Sequence, residues 1–327
     1  MALHAVENVE EALGVTRAFL TPVTVRRWLK LAVVVFFVGG GVSFPTTQFS
    51  TSAPTGEVSP GEIPSGLPVE LLTLAAAVVA VGLLLLGLFG LVGAVMEFVL
   101  IESLRTGEVS LRRHWRRRWR QGIRLFGFRV AIGLPMLALF GGWVALLAVP
   151  VLTGRDPARS ATAFLVGLPV LALVSAGYAL VSGFTTAFVV PLMIQSDSGV
   201  VAAWRRLWPS VRAAWKQYLA YVAVAFLLTV ATGVVVSIAV ALVAFALLVP
   251  VLVAVAIVHA TVSVTSPLGL ALLVPLAVLF GVALLVVGTL SQVPVVTYLR
   301  YYALLVLGDI EESFDILADG RPSTEDR

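Results

Sequence analysis

The chain has 327 residues, of which 59% are hydrophobic and only 12% charged, with a formal net charge of +4 and a pI of about 9.8. So little polar surface is not enough to cover a water-soluble domain, and the lack of cysteine excludes a disulfide framework, a thiolate nucleophile and cysteine metal sites. What remains is a helical protein of the lipid bilayer.

A crossing helix needs roughly 20 apolar residues, because ~1.5 Å of rise per residue must cover about 30 Å of hydrocarbon while every backbone group is satisfied internally. Six blocks meet or approach that length, at residues 28–44, 71–101, 123–152, 161–194, 218–259 and 268–307. The expected fold is all-α, a polytopic transmembrane helical bundle that forms a single domain over 1–318 and ends in a disordered tail at 319–327. Glu7, Glu10 and Glu11 precede the first block, which closes in Gly39-Gly40-Gly41 with no small-x-small cleavage pattern, so it reads as a retained helix. The segment 45–68 is rich in Pro, Ser, Thr and Gly and carries Glu57 and Glu62, as expected of a flexible external loop. The only asparagine, Asn8, is followed by Val9 and Glu10 and makes no glycosylation sequon. Pro250 divides the long fifth block, so 246–266 is either part of a kinked crossing or re-entrant.

Lys and Arg in short loops stay on the cytoplasmic side. Six crossings with both termini in the cytoplasm place every basic residue inside except Arg155 and Arg159. An odd number of crossings spoils that bias. The protein is therefore expected in the cell membrane as a multi-pass chain.

The cytoplasmic connection between the second and third crossings reads Leu111-Arg112-Arg113-His114-Trp115-Arg116-Arg117-Arg118-Trp119-Arg120, and Leu111, Trp115, Trp119, Ile123 and Phe126 recur at helical spacing. The pattern returns with Val200, Trp204, Leu207, Trp208, Val211 and Trp215 beside Arg205, Arg206, Arg212 and Lys216. Phe98-Val99 and Phe188-Val189 precede the two copies at nearly the same distance, which gives a crossing, an amphipathic interfacial helix and a crossing twice. Leu3, Val6, Leu13 and Leu20 at the start, and Leu307, Ile310, Phe314 and Leu317 at the end, supply two halves of a third copy in a pseudo-threefold arrangement of two-helix units. Arg112, Arg113, Trp115, Arg116, Trp119, Arg120, Trp204, Arg205, Arg206 and Trp208 are the candidate contacts to lipid headgroups. Rings sit at headgroup depth while guanidinium groups meet anionic phosphates on the cytoplasmic face. No nucleic-acid partner is expected, because the apolar stripe runs on into the flanking crossings.

Ionisable groups in hydrocarbon are costly and face a partner or a cavity. Glu97 and Arg129 lie at similar depth in adjacent crossings and are expected to pair; with Arg300 and Gln292 they form the candidate intramembrane polar site. Ser and Thr in the fourth block and Gly87, Gly90 and Gly93 in the second suit close helix packing. His4, His114 and His259 are too scattered for a metal, and no nucleophile elbow or phosphate-binding glycine loop occurs, so no catalytic role, cofactor or metal is expected.

Phe188-Val189-Val190-Pro191 running into Trp204-Arg205-Arg206-Leu207-Trp208, and the closing Tyr301-Tyr302-Ala303-Leu304-Leu305-Val306-Leu307-Gly308, resemble an uncharacterised six-pass family of halophilic archaea. That family is itself distantly similar to the membrane domain of glycerophosphodiester phosphodiesterases, and the resemblance implies a bundle without the catalytic domain. The expected function is a non-enzymatic integral membrane protein that interacts with lipid or anchors a partner through its basic helices. The alternative is a small transporter or channel with a polar site near Glu97 and Arg129.

Overall fold

The computed structural model describes residues 4–21, 23–39, 69–152, 157–262 and 266–317. The loop 45–68, Arg155, and the tail with Arg321 and Arg327 lie outside the described residues. The rest is all α: α1 (His4–Leu20), α2 (Val25–Val38), α3 (Val69–Thr106), α4 (Leu111–Leu152), α5 (Pro157–Phe184), α6 (Val190–Ser196), α7 (Val200–Ala213), α8 (Trp215–Thr261) and α9 (Pro267–Ile310). A π-helical turn, Thr185–Val189, carries α5 into α6 with right-handed helical torsions at both joins, so the two make one rod.

Five rods, namely α3, α4, α5–α6, α8 and α9, are long and apolar enough to cross a bilayer. This is a multi-pass membrane protein. The helix over the first apolar block, α2, has 14 residues, fewer than the ~20 of a crossing, and its continuation past 39 lies outside the described residues. The fifth block is one helix from Trp215 to Thr261; Pro250 sits inside it without ending it, and no re-entrant turn occurs up to Thr261. The basic Trp/Arg segment is likewise no separate helix: it is the first third of α4, whose 42 residues span about 63 Å at ~1.5 Å each. Between Leu111 and Ile123 no proline breaks the helix, and the one glycine, Gly122, is held at a close contact. Its counterpart, α7, is separate, because at Ala214 the backbone leaves the helical region (φ −114°, ψ 34°).

Two compact units divide the chain. One combines Met1–Val42, Val99–His114 and Leu207–Arg327. In it α8 packs on α9, and α1 and α2 also lie on α9. Its core is the last third of α9, from Tyr301 to Leu307, with Leu31, Val34 and Val35 of α2 and Leu100, Ile101 and Leu104 of α3. Tyrosines supply area and a polar handle. Tyr301 donates to Leu104 O (3.1 Å), Tyr298 donates to Val9 O (3.3 Å), and Tyr221 stacks on Tyr302 with ring centroids 5.5 Å apart. The buried face of α1 is Asn8, Ala12, Thr16, Phe19 and Leu20. Leu13 of the expected stripe points away, 60% exposed, because the small residues let α1 approach α9 and Asn8 donates to Asp309 (2.7 Å). No amphipathic helix runs to Leu317: α9 stops at Ile310, Glu311 is extended, and a 3-10 turn over Glu312–Phe314 buries Phe314 and brings Asp315 back to Gly308.

The second unit combines Ser43–Phe98 and Trp115–Arg206. Its core is Ala94–Phe98 of α3, Leu125 of α4, Ala187–Ile194, and Val200 and Ala203 of α7. Gly122 makes the close approach of α3 and α4, since a Cβ there would lie 2.8 Å from Val95 Cα. In both units the long apolar stretches face outward. In four of the five spans the most apolar stretch contains no buried residue, so the rest of the described chain does not cover it.

Gly122→Ala is expected to force α3 and α4 apart and destabilise the protein by about 1–3 kcal/mol. Gly87→Ala, which meets nothing within 4 Å, is expected to leave it unchanged or more stable. Thermal unfolding in detergent, followed by the monodisperse fraction, checks the pair; equal midpoints for the two variants contradict the packing.

Candidate functional site

On α4 the row His114, Arg118, Gln121, Gly122 and Leu125 is buried, so the face turned inward is largely polar. The opposite face carries Arg112, Arg113, Arg116, Arg120, Trp119 and Ile123, all exposed, with Trp115 half-buried at its edge. This reverses the usual water-soluble arrangement. The inward polar row is held by a network: Arg118 donates to Gln121 Oε1 (3.2 Å) and pairs with Asp197 (3.5 Å), and Gln121 donates to Asp197 (2.8 Å) and to Met193 O (3.0 Å). Asp197 holds a left-handed conformation (φ 49°), an acceptable strain for Asp, where the chain leaves α6. Arg118, Gln121 and Asp197 were not among the expected site residues. The sequence signal for them is the polar i, i+4, i+7 row His114, Arg118 and Gln121 opposite the tryptophans.

On α7 the inward row is Val200, Ala203, Leu207 and Ser210, while Arg205, Arg206, Trp208 and Arg212 face out. Trp204 is half-buried and fixed, donating from Nε1 to Thr185 Oγ1 (3.1 Å). Trp119, Trp208 and Trp215 are each about half exposed. Arg120, Arg212 and Lys216 lie over their respective rings at 5.9, 5.1 and 5.8 Å. Each exposed indole thus carries a cation beside it, an arrangement suited to a surface that is apolar on one side and anionic on the other.

Glu97 and Arg129 are brought together. Arg129 Nη2 lies 3.5 Å from Glu97 Oε2 and donates to Thr186 Oγ1 (3.0 Å); the carboxylate is 1% exposed and the guanidinium 30%. Thr186 belongs to the π-helical turn, a feature frequent at functional sites. Its neighbour Thr185 donates to Val181 O (2.6 Å) and accepts from Trp204, so two adjacent hydroxyls tie α4 and α7 to one turn. Gln292 and Arg300 belong to the other unit, both partly buried on α9, with Gln292 beside Gly39 of α2.

Glu97→Gln leaves the Arg129 guanidinium without its anion. The expected loss is about 1–3 kcal/mol, below the ~3–5 of a fully buried pair because Arg129 keeps some exposure. Adding Arg129→Met is expected to recover part of that loss. Midpoints of thermal unfolding in detergent read both, and a single variant as stable as wild type contradicts a structural pair.

No curated protein and no solved structure matches the chain. The resemblance to a haloarchaeal family and to the phosphodiesterase membrane domain therefore finds no support in these comparisons. A family match over residues 3–317 covers nearly the whole chain, which belongs to a family of unknown function, DUF7544.

Proposed function

We propose that the protein is a non-enzymatic membrane component that gathers anionic lipid headgroups, or anchors a partner carrying the same charge, on the Trp/Arg faces of α4 and α7. In this reading the chain crosses six times, with α2 and its continuation as the first crossing, and both termini and both basic faces are cytoplasmic. The carrying observation is that Trp119, Trp208 and Trp215 each face outward with a cation at the ring, set against inward rows that are held by hydrogen bonds or packing. Indoles favour headgroup depth, and each basic residue near an anionic leaflet contributes about 1 kcal/mol. The repeat reading draws support from matched burial: Trp115 and Trp204 are half-buried, Trp119 and Trp208 exposed, Gln121 and Ser210 buried.

A second reading, a small transporter or channel, rests on the buried Glu97 and Arg129 pair beside the π-helical turn. Solute flux in proteoliposomes that is lost in a well-folded Glu97→Gln variant favours it.

For the first reading, the protein is extracted in native polymer discs and its lipid shell compared with the bulk membrane. Enrichment of anionic lipid is expected for wild type, falling several-fold toward the bulk ratio when Arg112, Arg113, Arg116 and Arg120 are all changed to Gln. High salt is expected to weaken the same enrichment. A shell identical in wild type and variant contradicts the proposal.

A further inference from the structure

The start of α2 and the turn joining α3 to α4 form an open groove of about 380 Å³, within a single unit. Arg26, Arg27 and Lys30 form one wall and the turn 107–110 the other. Three cations face one carboxylate, Glu108, so the groove carries a clear positive excess. Two of the cations, Arg27 and Lys30, are held in place without being neutralised. The Arg27 guanidinium stacks on Phe19 at 4.5 Å and donates to Gly107 O (3.3 Å), while its buried Nε has no hydrogen-bond partner. Lys30 donates to Val109 O (3.3 Å), which leaves two of its protons to spend. Arg26 is exposed. Thr24, at the N-cap of α2, makes no side-chain capping bond, so its hydroxyl is also available. Gly107 holds φ +70°, a conformation that disfavours any side chain, and that turn delivers the two carbonyls to Arg27 and Lys30.

We infer that this groove binds a phosphate group. A planar guanidinium fork matches tetrahedral phosphate oxygens, two further cations offset its second charge, and the first turns of α2 and α4 add a favourable dipole. The volume suits a phosphate with a glycerol-sized substituent, at the lower end of small-molecule sites. The same chemistry is offered by an anionic lipid headgroup and by a soluble phosphate. The site does not depend on the lipid reading of α4 and α7, since it shares none of their exposed residues.

The test uses the full chain in maltoside detergent, with two probes: micelles doped with phosphatidylglycerol, and inorganic phosphate. Binding isotherms are compared for wild type, Arg26→Gln, Arg26→Gln with Lys30→Gln, and Arg17→Gln as the control for an exposed basic residue outside both the groove and the Trp/Arg faces. The double groove variant is expected to weaken binding at least tenfold and the Arg17 control to leave it within twofold. Arg26→Gln guards against misfolding, because this side chain makes no contact that holds the turn, and it is expected to cost at least threefold with an unchanged elution profile. Tight binding of the doped micelles with inorganic phosphate inert assigns a lipid headgroup; binding of inorganic phosphate assigns a soluble one. No binding of either probe to wild type, or binding that Arg26 and Lys30 substitutions leave unchanged, overturns the site; in the second case the lipid reading of α4 and α7 still stands, and it is tested by the Arg112, Arg113, Arg116 and Arg120 variant.

Discussion

Hydrocarbon solvates a leucine as well as another leucine does, and that equality governs this molecule. A water-soluble helix must cover its apolar face with protein, whereas these rods leave Leu84, Leu86, Phe226 and Phe245 uncovered, as a rod can in a bilayer, where lipid chains would take the place of a core. Specific packing is then confined to places where something other than apolarity rewards contact: small residues, hydroxyls, tyrosine handles and charges. Such residues gather near one end of each rod, where the second third of α3 gives way to Ala94–Leu104, where α5 passes through its π-helical turn, and where α9 reaches Tyr298–Leu307.

Placing the polar chemistry where the packing is explains the inversion on α4. His114, Arg118 and Gln121 turn inward because partners await them at Ser103, Asp197 and Met193 O, with Ser103 Oγ 3.3 Å from His114 Nδ1. Once that row is fixed, helical geometry sends Trp119 and Ile123 outward with Arg112, Arg116 and Arg120. The inward network makes the outward basic and aromatic face obligatory, and so the proposed lipid contact follows from the same hydrogen bonds that hold the unit together. The phosphate groove has a parallel origin, since carbonyls of the turn after Gly107 pin Arg27 and Lys30 without cancelling their charge.

Much of this was legible in the sequence, and the limits have physical causes. The apolar blocks from 71 onward read directly as rods, because sustained apolarity near ~20 residues has few alternatives. Glu97 and Arg129 were legible as partners because opposite charges at matched depth are rare in such a chain. Helix joints were not: Ile123 lies mid-helix while Ala214 breaks one, and no residue type at either position announces it. The orientation of α1 escaped because interhelical approach favours Ala12 and Thr16 over Leu13, reversing the hydrophobic-in rule. The π-helical turn leaves no compositional mark, so Thr186 and the Trp204 anchor to Thr185 emerge only in three dimensions.

The proposed arrangement is one of rods that face lipid along their length and present basic, aromatic surfaces at the headgroups. Because the chain has no cysteine, nitroxide labels can be placed singly in a reconstituted bilayer at Leu84, Phe245, Trp119 and Trp208. High accessibility to oxygen and none to a water-soluble nickel complex is expected at Leu84 and Phe245, with Trp119 and Trp208 reached by both as interfacial positions are. Nickel relaxing a label at Leu84 or Phe245, or failing to reach Trp119 and Trp208, would contradict it.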